Sequence, residues 1–456
     1  MSHQVFQERS EIPTPVEVAF AWHCREGALT RLTPPWEAVT VEKYESGLAP
    51  GSQAVLKTKL GPIPLTWLAE HREFVENELF SDVQLSGPFA HWEHEHRFGQ
   101  IDADHCYLED HVEYSVPGGA IGKMLGGSFV AEKLERMFRY RHATLLADLA
   151  AHQPYLQQDA MKIAITGASG MVGKQLSAFL STGGHEVIPV TRSPNKEGVY
   201  WNYKQGEIDA ASLTGVDAVV HLAGESIADG RWTEEKKAQI RDSRVDGATF
   251  LASELAKLPT PPQTFVCASA IGYYGDSGDE IVDEQSIAGE GFLPDVCRAW
   301  ELACEPAALA GIRVVNTRLG LVLSPQGGAL AKMLTPFKLG VGGVIGSGKQ
   351  YWSWITIDDV IGGIHHCLMN ESLSGPVNLT APDPATNREF TKTLGRVLHR
   401  PTVLPVPEFA AKMAMGEMAN DLLLASSRVM PTRLRETGYQ FRDPELEPAL
   451  RRLLGM

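Results

Sequence analysis

The stretch KIAITGASGMVG, residues 162–173, decides the fold, because it runs a short apolar segment into a glycine-spaced turn and then into a helical pattern. Residues 162–166 carry isoleucines with little alternation, as a strand buried on both faces does. Gly167 permits the tight turn, Gly170 lets the backbone approach a pyrophosphate, and Gly173 lets the next helix, residues 171–182, pack against the strand. The unpaired N–H groups and positive dipole end of that helix suit phosphate. A second strand, EVIPVTR, follows Gly183-Gly184 and ends at Arg192. Near that position an acidic residue would bind a ribose 2′-hydroxyl, whereas an arginine suits a 2′-phosphate. The expected cofactor is therefore NADP rather than NAD. A glycine triplet by itself is a weak signal, and a plain glycine-rich turn is the competing reading.

Length and composition fit an ordinary enzyme: 456 residues exceed one core and suggest two or three domains. The 41 Lys+Arg against 56 Asp+Glu give a net charge of -15, which disfavours nucleic acid or an anionic membrane as partner. Cys24, Cys106, Cys267, Cys297, Cys304 and Cys367 form no CxxC pair, so neither a zinc site nor a disulfide framework is indicated. Reduced thiols of a cytoplasmic protein are the expectation. The polar start MSHQVFQERSEIP is no signal peptide, and no apolar run reaches the roughly 18 residues of a membrane span.

The pattern changes sharply near residue 155. Residues 1–150 alternate in the manner of strands (VTVEKY, AVLKTKL, LTWLAEHREF, LFSDVQL, HWEHEHRF, CYLEDHVEYSV) and end in an amphipathic helix over residues 127–150. That order predicts an α+β module whose curved sheet grips the helix. Residues 151–160 read as a linker, and Met161 as a start residue kept inside a fusion. Over residues 161–404 strands and helices alternate as a doubly wound parallel sheet requires, and residues 405–456 turn helical. No internal repeat is present.

Residues 161–456 resemble the atypical extended short-chain dehydrogenase/reductase group, the epimerase-family proteins with a C-terminal helical extension. The matching motifs are ITGASGMVG, DAVVHLAGESI, Arg231-Trp232, SAIGYYG, Trp300-Glu301, RLGLVLSPQGGAL, GGVIGSGKQYWSWITIDD and TNREF. Residues 1–150 resemble, by pattern rather than motif, the START-like helix-grip domains of the polyketide-cyclase and lipid-transfer superfamily. The implied fold is an α/β Rossmann sheet preceded by an α+β helix-grip domain. The resemblance implies NADP contacts at Gly170 and Met171 by the pyrophosphate, beside Gly167 and Gly173, and at Thr191 and Arg192 by the adenosine phosphate. It also implies Leu222 and Ala223 along adenine and ribose, Glu225 on a ribose hydroxyl, and Gln239, Arg244 and Val322. For Glu225 a helix-start carboxylate, and for Arg244 a solvated surface charge, are the competing readings.

Catalysis is where the chain departs from that group. The usual relay is a tyrosine with a lysine four residues on and a Ser or Thr holding the substrate oxygen. In DVCRAWELACE, Val296 and Trp300 stand nearest the missing Tyr-x-x-x-Lys pair, and Ala270 replaces the hydroxyl residue. Ser269, next to it on a strand, faces the other way. Tyr273, Tyr274 and Glu301 remain as titratable groups. Tyr274 as donor to a carbonyl and Glu301 as base are the catalytic candidates, against turn packing and a helix-surface charge.

Nucleotide-sugar enzymes of this fold commonly carry Arg-Asp-Phe where Trp352, Ser353 and Trp354 stand here. Losing that arginine and gaining indoles predicts a small, largely uncharged substrate, unless the indoles are core. A helix-grip domain implies an apolar ligand between helix and sheet. In HWEHEHRF, His94 and His96 share one strand face, with His91, Glu93 and Glu95 on the other. No third ligand is identifiable, so a solvated or pocket-lining face and no metal are expected. Residues 409–424 read as a helix capping the substrate cleft. Two functions follow: an NADP-dependent oxidoreductase or epimerase, or a non-catalytic NADP-binding redox or ligand sensor. Oligomeric state is not legible.

Overall fold

The structure, a computed structural model, describes residues 3–45, 47–60 and 63–456. It forms two compact units: Met1–Gln157 with Ser181–Gly184 and Gly455, and Gln158–Leu180 with His185–Leu454 and Met456.

The first unit contains β1 (Gln4–Ile12), α1 (Val16–Cys24), α2 (Ala28–Leu32), β2 (Thr40–Tyr44), β3 (Gln53–Leu60), β4 (Ile63–Val75), β5 (Leu79–Ser86), β6 (His91–Gln100), β7 (Cys106–Ser115) and α3 (Gly119–His152). Its antiparallel sheet runs β1-β7-β6-β5-β4-β3-β2. Strict alternation buries every second residue of β7, so Cys106, Leu108, Asp110, Val112 and Tyr114 face inward. Phe138 of α3 is fully buried and packs with Trp92, Val112 and Tyr114, while Leu145 packs with Phe80, Phe98 and Leu108. Each such side chain contributes about 1.5–3 kcal/mol by leaving water. The sheet therefore grips the helix. Two elements differ from expectation. β1 forms from the polar start because its alternation pairs with β7 along all nine residues. α3 begins at Gly119 rather than 127; left-handed Gly118 (φ 88°) precedes it, and the glycine-rich first turns carry little helical propensity to announce it.

The second unit is built on an eight-stranded sheet ordered β11-β10-β9-β8-β12-β13-β15-β19. Its strands are β8 (Lys162–Thr166), β9 (Glu186–Thr191), β10 (Val199–Asn202), β11 (Glu207–Ile208), β12 (Ala218–His221), β13 (Thr264–Ala270), β15 (Arg313–Leu319) and β19 (Gly375–Leu379). All pair in parallel except β11 with β10. From β8 the chain first builds outward through β9 and β10, then returns to lay β12 on the other side of β8. The strand order thus reverses between β8 and β12, where open α/β sheets bind ligands. Helices α4 (Met171–Thr182), α5 (Glu234–Ala256), α6 (Phe292–Leu302), α7 (Glu305–Leu309) and α9 (Ile357–Met369) connect the strands. Three short ladders complete the unit: β14 (Ile281–Val282) with β21 (Arg428–Val429), β16 (Leu321–Leu323) with β18 (Trp354–Thr356), and β17 (Tyr351–Trp352) with β20 (Ala385–Thr386). Helices α8 (Gly328–Lys338), α10 (Asn387–Val397), α11 (Glu408–Met415), α12 (Thr432–Glu436) and α13 (Leu446–Leu454) pack among them. The single helix expected over 409–424 is broken, because Gly416 takes a left-handed φ of 65° and ends α11. No helix of the described residues is long and apolar enough to cross a membrane.

Candidate functional site

At the end of β8 the chain turns through Gly167 at φ 71°, and a Cβ there would lie 3.1 Å from the Ala223 nitrogen. Gly170 donates its N–H to the Gly167 carbonyl at 2.9 Å. A Cβ on Gly173 would come 2.2 Å from the Gly167 oxygen, so α4 can approach the turn only with glycine here. Thr166 ties this turn to β12: its Oγ1 accepts from the N–H groups of Leu222 and Ala223 at 3.1 and 3.2 Å, and pairs with His221 Nδ1 at 2.8 Å. Burial, and then the Arg244 cation, push the His221 pKa down to about 4. Thr166 and His221 end their strands inside the two motifs, a signal that the motif glycines overshadow.

A groove of about 1360 Å³ opens at this reversal. Gly167, Gly170, Thr191, Arg192, Leu222, Ala223, Glu225 and Gln239 line it, together with Ser193, Lys196, Tyr203 and Lys204, which the sequence reading does not single out. Arg192 is exposed, and Thr191 Oγ1 accepts from the Ser193 N–H at 3.1 Å. Arg192, Lys196 and Lys204 are the cations of the lining, alongside the acids Glu197, Asp242 and Asp246. Glu225 accepts from Lys236 Nζ at 2.6 Å. Arg244 is absent from the lining. It donates to the carbonyls of Glu225 and Ile240, both at 3.0 Å, and lies 5.1 Å over the Trp300 ring, bracing the wall from behind. Met171 and Val322 lie together in an apolar cluster with Leu323 and Trp354. The glycine turn and the size of the groove fit a dinucleotide.

The catalytic candidates meet at a buried arginine. Arg318 donates from Nε and Nη2 to the two oxygens of Glu301, both at 2.8 Å, and from Nη1 to the Tyr274 hydroxyl at 2.9 Å. That hydroxyl donates to Asn378 Oδ1 at 2.8 Å, and Ser269 Oγ donates to Glu301 at 2.8 Å. Arg318 also lies 3.5 Å over the Tyr273 ring. Burial opposes its charge, but Glu301 and Tyr274 more than offset that and raise its pKa. Burial likewise pushes Tyr274 up to about 12, so it is a neutral phenol near pH 7. The half-buried Tyr273 has no hydrogen bond through its hydroxyl among the described residues. Val296 and Trp300 are buried and apolar. Arg318 opens the RLGLVL motif, yet no spacing rule points to its partners.

On the substrate side Trp352 and Trp354 take the alternative reading, as core. Trp354 is fully buried and donates to the Asp383 carbonyl at 3.1 Å, and Trp352 is 7% exposed and donates to the Leu423 carbonyl at 3.4 Å. Both are core side chains whose N–H groups need internal partners. Ser353 bonds the Ser427 carbonyl at 2.7 Å. Ser427 in turn donates to the Gly275 carbonyl at 2.6 Å, which docks this segment on the turn following Tyr274. Next to it, Arg428 lies 4.9 Å over the Tyr351 ring, and its Nε is buried without a hydrogen-bond partner among the described residues.

Comparison with known proteins agrees with both units. Residues 163–379 match the NAD dependent epimerase/dehydratase family, residues 12–139 the polyketide cyclase / dehydrase and lipid transport family, and residues 406–453 a domain of unknown function, DUF1731. An epimerase family protein of Mycobacterium tuberculosis is 43% identical over 290 residues, which is 63% of this chain and 96% of that one. The crystal structure of a nucleoside-diphosphate sugar epimerase from Corynebacterium glutamicum is similar over 99% of this chain and 90% of its own, at 34% identity and TM-score 0.82. Human epimerase family protein SDR39U1, crystallised with NADPH, covers 64% of this chain and 99% of its own at 36% identity and TM-score 0.60.

Proposed function

The chain belongs to the epimerase family, and on that premise we propose that its second unit is an NADP(H)-dependent oxidoreductase or epimerase acting on a small molecule. The observation that carries this reading is the lining of the groove, where Arg192, directly after β9, stands with Lys196, Lys204, Thr191 and Ser193. An arginine at the second strand's end suits a 2′-phosphate. The NADPH in the human relative's crystal supports the same choice. In this reading Gly167 and Gly170 cradle the pyrophosphate, with Gly173 holding α4 close. Leu222 and Ala223 flank the adenosine, Glu225 and Gln239 take hydroxyls, and Arg244, Met171 and Val322 shape the walls from outside the groove. When bound, the dinucleotide gives or takes hydride at C4 of its nicotinamide.

Tyr274 and Glu301 then work as positioning residues through Arg318, because their polar atoms are already bonded. Tyr273, whose ring Arg318 covers, is the hydroxyl free to give a proton to a substrate oxygen. Arg428 favours a substrate with one acidic group over the largely uncharged one expected from the indoles. The second reading, a sensor that binds NADP(H) without turnover, is favoured by the same saturated network.

Cofactor fluorescence titration tests the assignment. NADPH should bind at least about tenfold more tightly than NADH, about 1.4 kcal/mol, and Arg192→Ala should erase the difference. Equal affinities in the native protein would overturn it. An NADPH-bound protein that turns over no member of a broad carbonyl panel, acids included, would favour the sensor.

A further inference from the structure

The inner face of the first unit's sheet holds a polar cluster that the nucleotide chemistry does not use. Register places Asp82 of β5 directly opposite His94 of β6, and Asp110 of β7 directly opposite His96. His94 and Asp110 have side chains 3% exposed, His96 10% and Asp82 18%. The sequence offers His94 and His96 as two ligands and no third. The neighbouring strand supplies it, and the face is interior rather than solvated.

The two rings are arranged alike. His94 Nδ1 stands 3.3 Å and His96 Nε2 3.9 Å from one oxygen, Asp82 Oδ2. The ligand atoms of these three residues all lie within 4.8 Å of one another. Ligands held about 2.0–2.2 Å from a shared tetrahedral ion stand roughly 3.3–3.6 Å apart, so this spacing needs little adjustment to close on one ion. The opposite ring nitrogens, His94 Nε2 and His96 Nδ1, stand 2.9 and 2.6 Å from Asp110 Oδ1; the first contact is a hydrogen bond, whereas His96 Nδ1 lies close without hydrogen-bond geometry. A carboxylate hydrogen-bonded behind a ligating imidazole fixes its tautomer and leaves the facing nitrogen as a lone-pair donor, as Asp110 does for His94. Asp110 is itself held, its Oδ2 lying 2.7 Å from His142 Nε2 on α3, whose Nδ1 is 2.8 Å from Ser10 Oγ.

We propose that Asp82, His94 and His96 bind one divalent transition-metal ion, with Asp110 as the carboxylate that positions His94 and stands behind His96. Two imidazoles and one carboxylate suit Zn(II), Fe(II) or Co(II) better than Mg(II) or Ca(II). Three protein ligands leave a fourth coordination position for water or another donor.

The test uses the full chain, stripped by chelator, titrated with Co(II) and read by visible d–d absorption, then displaced by Zn(II). One ion per chain is expected. Asp110→Asn should weaken binding about 10- to 100-fold. Asp82→Asn should weaken it further, with NADPH affinity and near-ultraviolet circular dichroism unchanged. If Asp82→Asn perturbs the fold, X-ray absorption of the Zn(II)-loaded native protein decides, and two imidazole nitrogens with a carboxylate oxygen are expected. Absence of Co(II) and Zn(II) binding, binding that survives Asp82→Asn in a folded protein, or a different ligand shell each overturns the proposal.

Discussion

Arg318 and Glu301 face each other in a two-point ion pair, 2.8 Å on each arm, with side chains only 3% and 13% exposed. The pair holds the Tyr273-Tyr274 turn, because Arg318 also donates to the Tyr274 hydroxyl and lies over the Tyr273 ring. Breaking it from one side leaves a buried cation with one neutral partner. Glu301→Ala should therefore cost about 3–5 kcal/mol in denaturant unfolding, the price of an uncompensated buried charge. A cost below about 1 kcal/mol would show that water reaches Arg318 freely.

Tyr273 and Tyr274 should separate in their effects. Tyr274→Phe removes hydrogen bonds to Arg318 and Asn378 and should cost about 1–3 kcal/mol of stability. Tyr273→Phe removes no internal hydrogen bond, so it should leave unfolding and NADPH affinity unchanged. Under turnover it should lower kcat about 10²- to 10⁴-fold, as loss of a general acid does. Full activity in Tyr273→Phe would return the proton-transfer role to Tyr274 or Glu301.

Gly173→Ala gives the sharpest test of the cofactor turn. The new methyl would lie 2.2 Å from the Gly167 oxygen and 2.8 Å from the Ala168 Cα, both backbone atoms that cannot swing aside. The turn must open, and NADPH affinity should fall by at least about tenfold, with smaller loss of stability. Unchanged affinity would mean that the turn is not the phosphate cradle.

What was legible in the sequence was local. Residues 162–173 announce strand, turn and helix by pattern alone, and α4 spans the expected residues 171–182. Contacts set by register or by distant strands were not. Glu301 and Arg318 are 17 positions apart, and Tyr274 and Asn378 are 104 apart. Asp82 meets His94 only because of the β5–β6 register. The indoles left two readings open because tryptophan patterns alike in a core and in a cleft, and only burial separates the two. β1 was hidden by polar residues on its outward face.

Residues 161–456 should fold alone and bind NADPH as the full chain does. They contain the whole eight-stranded sheet, and a relative from Mycobacterium tuberculosis aligns with 290 residues of this chain over 96% of its own length. Limited proteolysis and cofactor titration of the fragment check this. A molten fragment would show that the second unit depends on the first.

Stability should fall as pH drops below about 6.5, and His221 should account for one proton of that dependence. The ring is fully buried between Thr166 on β8, Trp201 on β10 and Phe265 on β13, with the Arg244 cation of α5 nearby. Its folded pKa is about 4, against an ordinary 6.5 in the unfolded chain. The unfolded state therefore binds more protons between those values, and the stabilisation present above pH 6.5 is lost as pH falls toward 4. The slope is ~1.4 kcal/mol per pH unit for one group. His221→Asn keeps a side-chain amide within reach of Thr166 and cannot titrate. Its unfolding free energy, measured between pH 6.5 and 4.5, should vary less steeply than that of the native protein by one proton. An identical slope would show that His221 is not the group whose protonation loosens the β8–β12 junction beneath the groove.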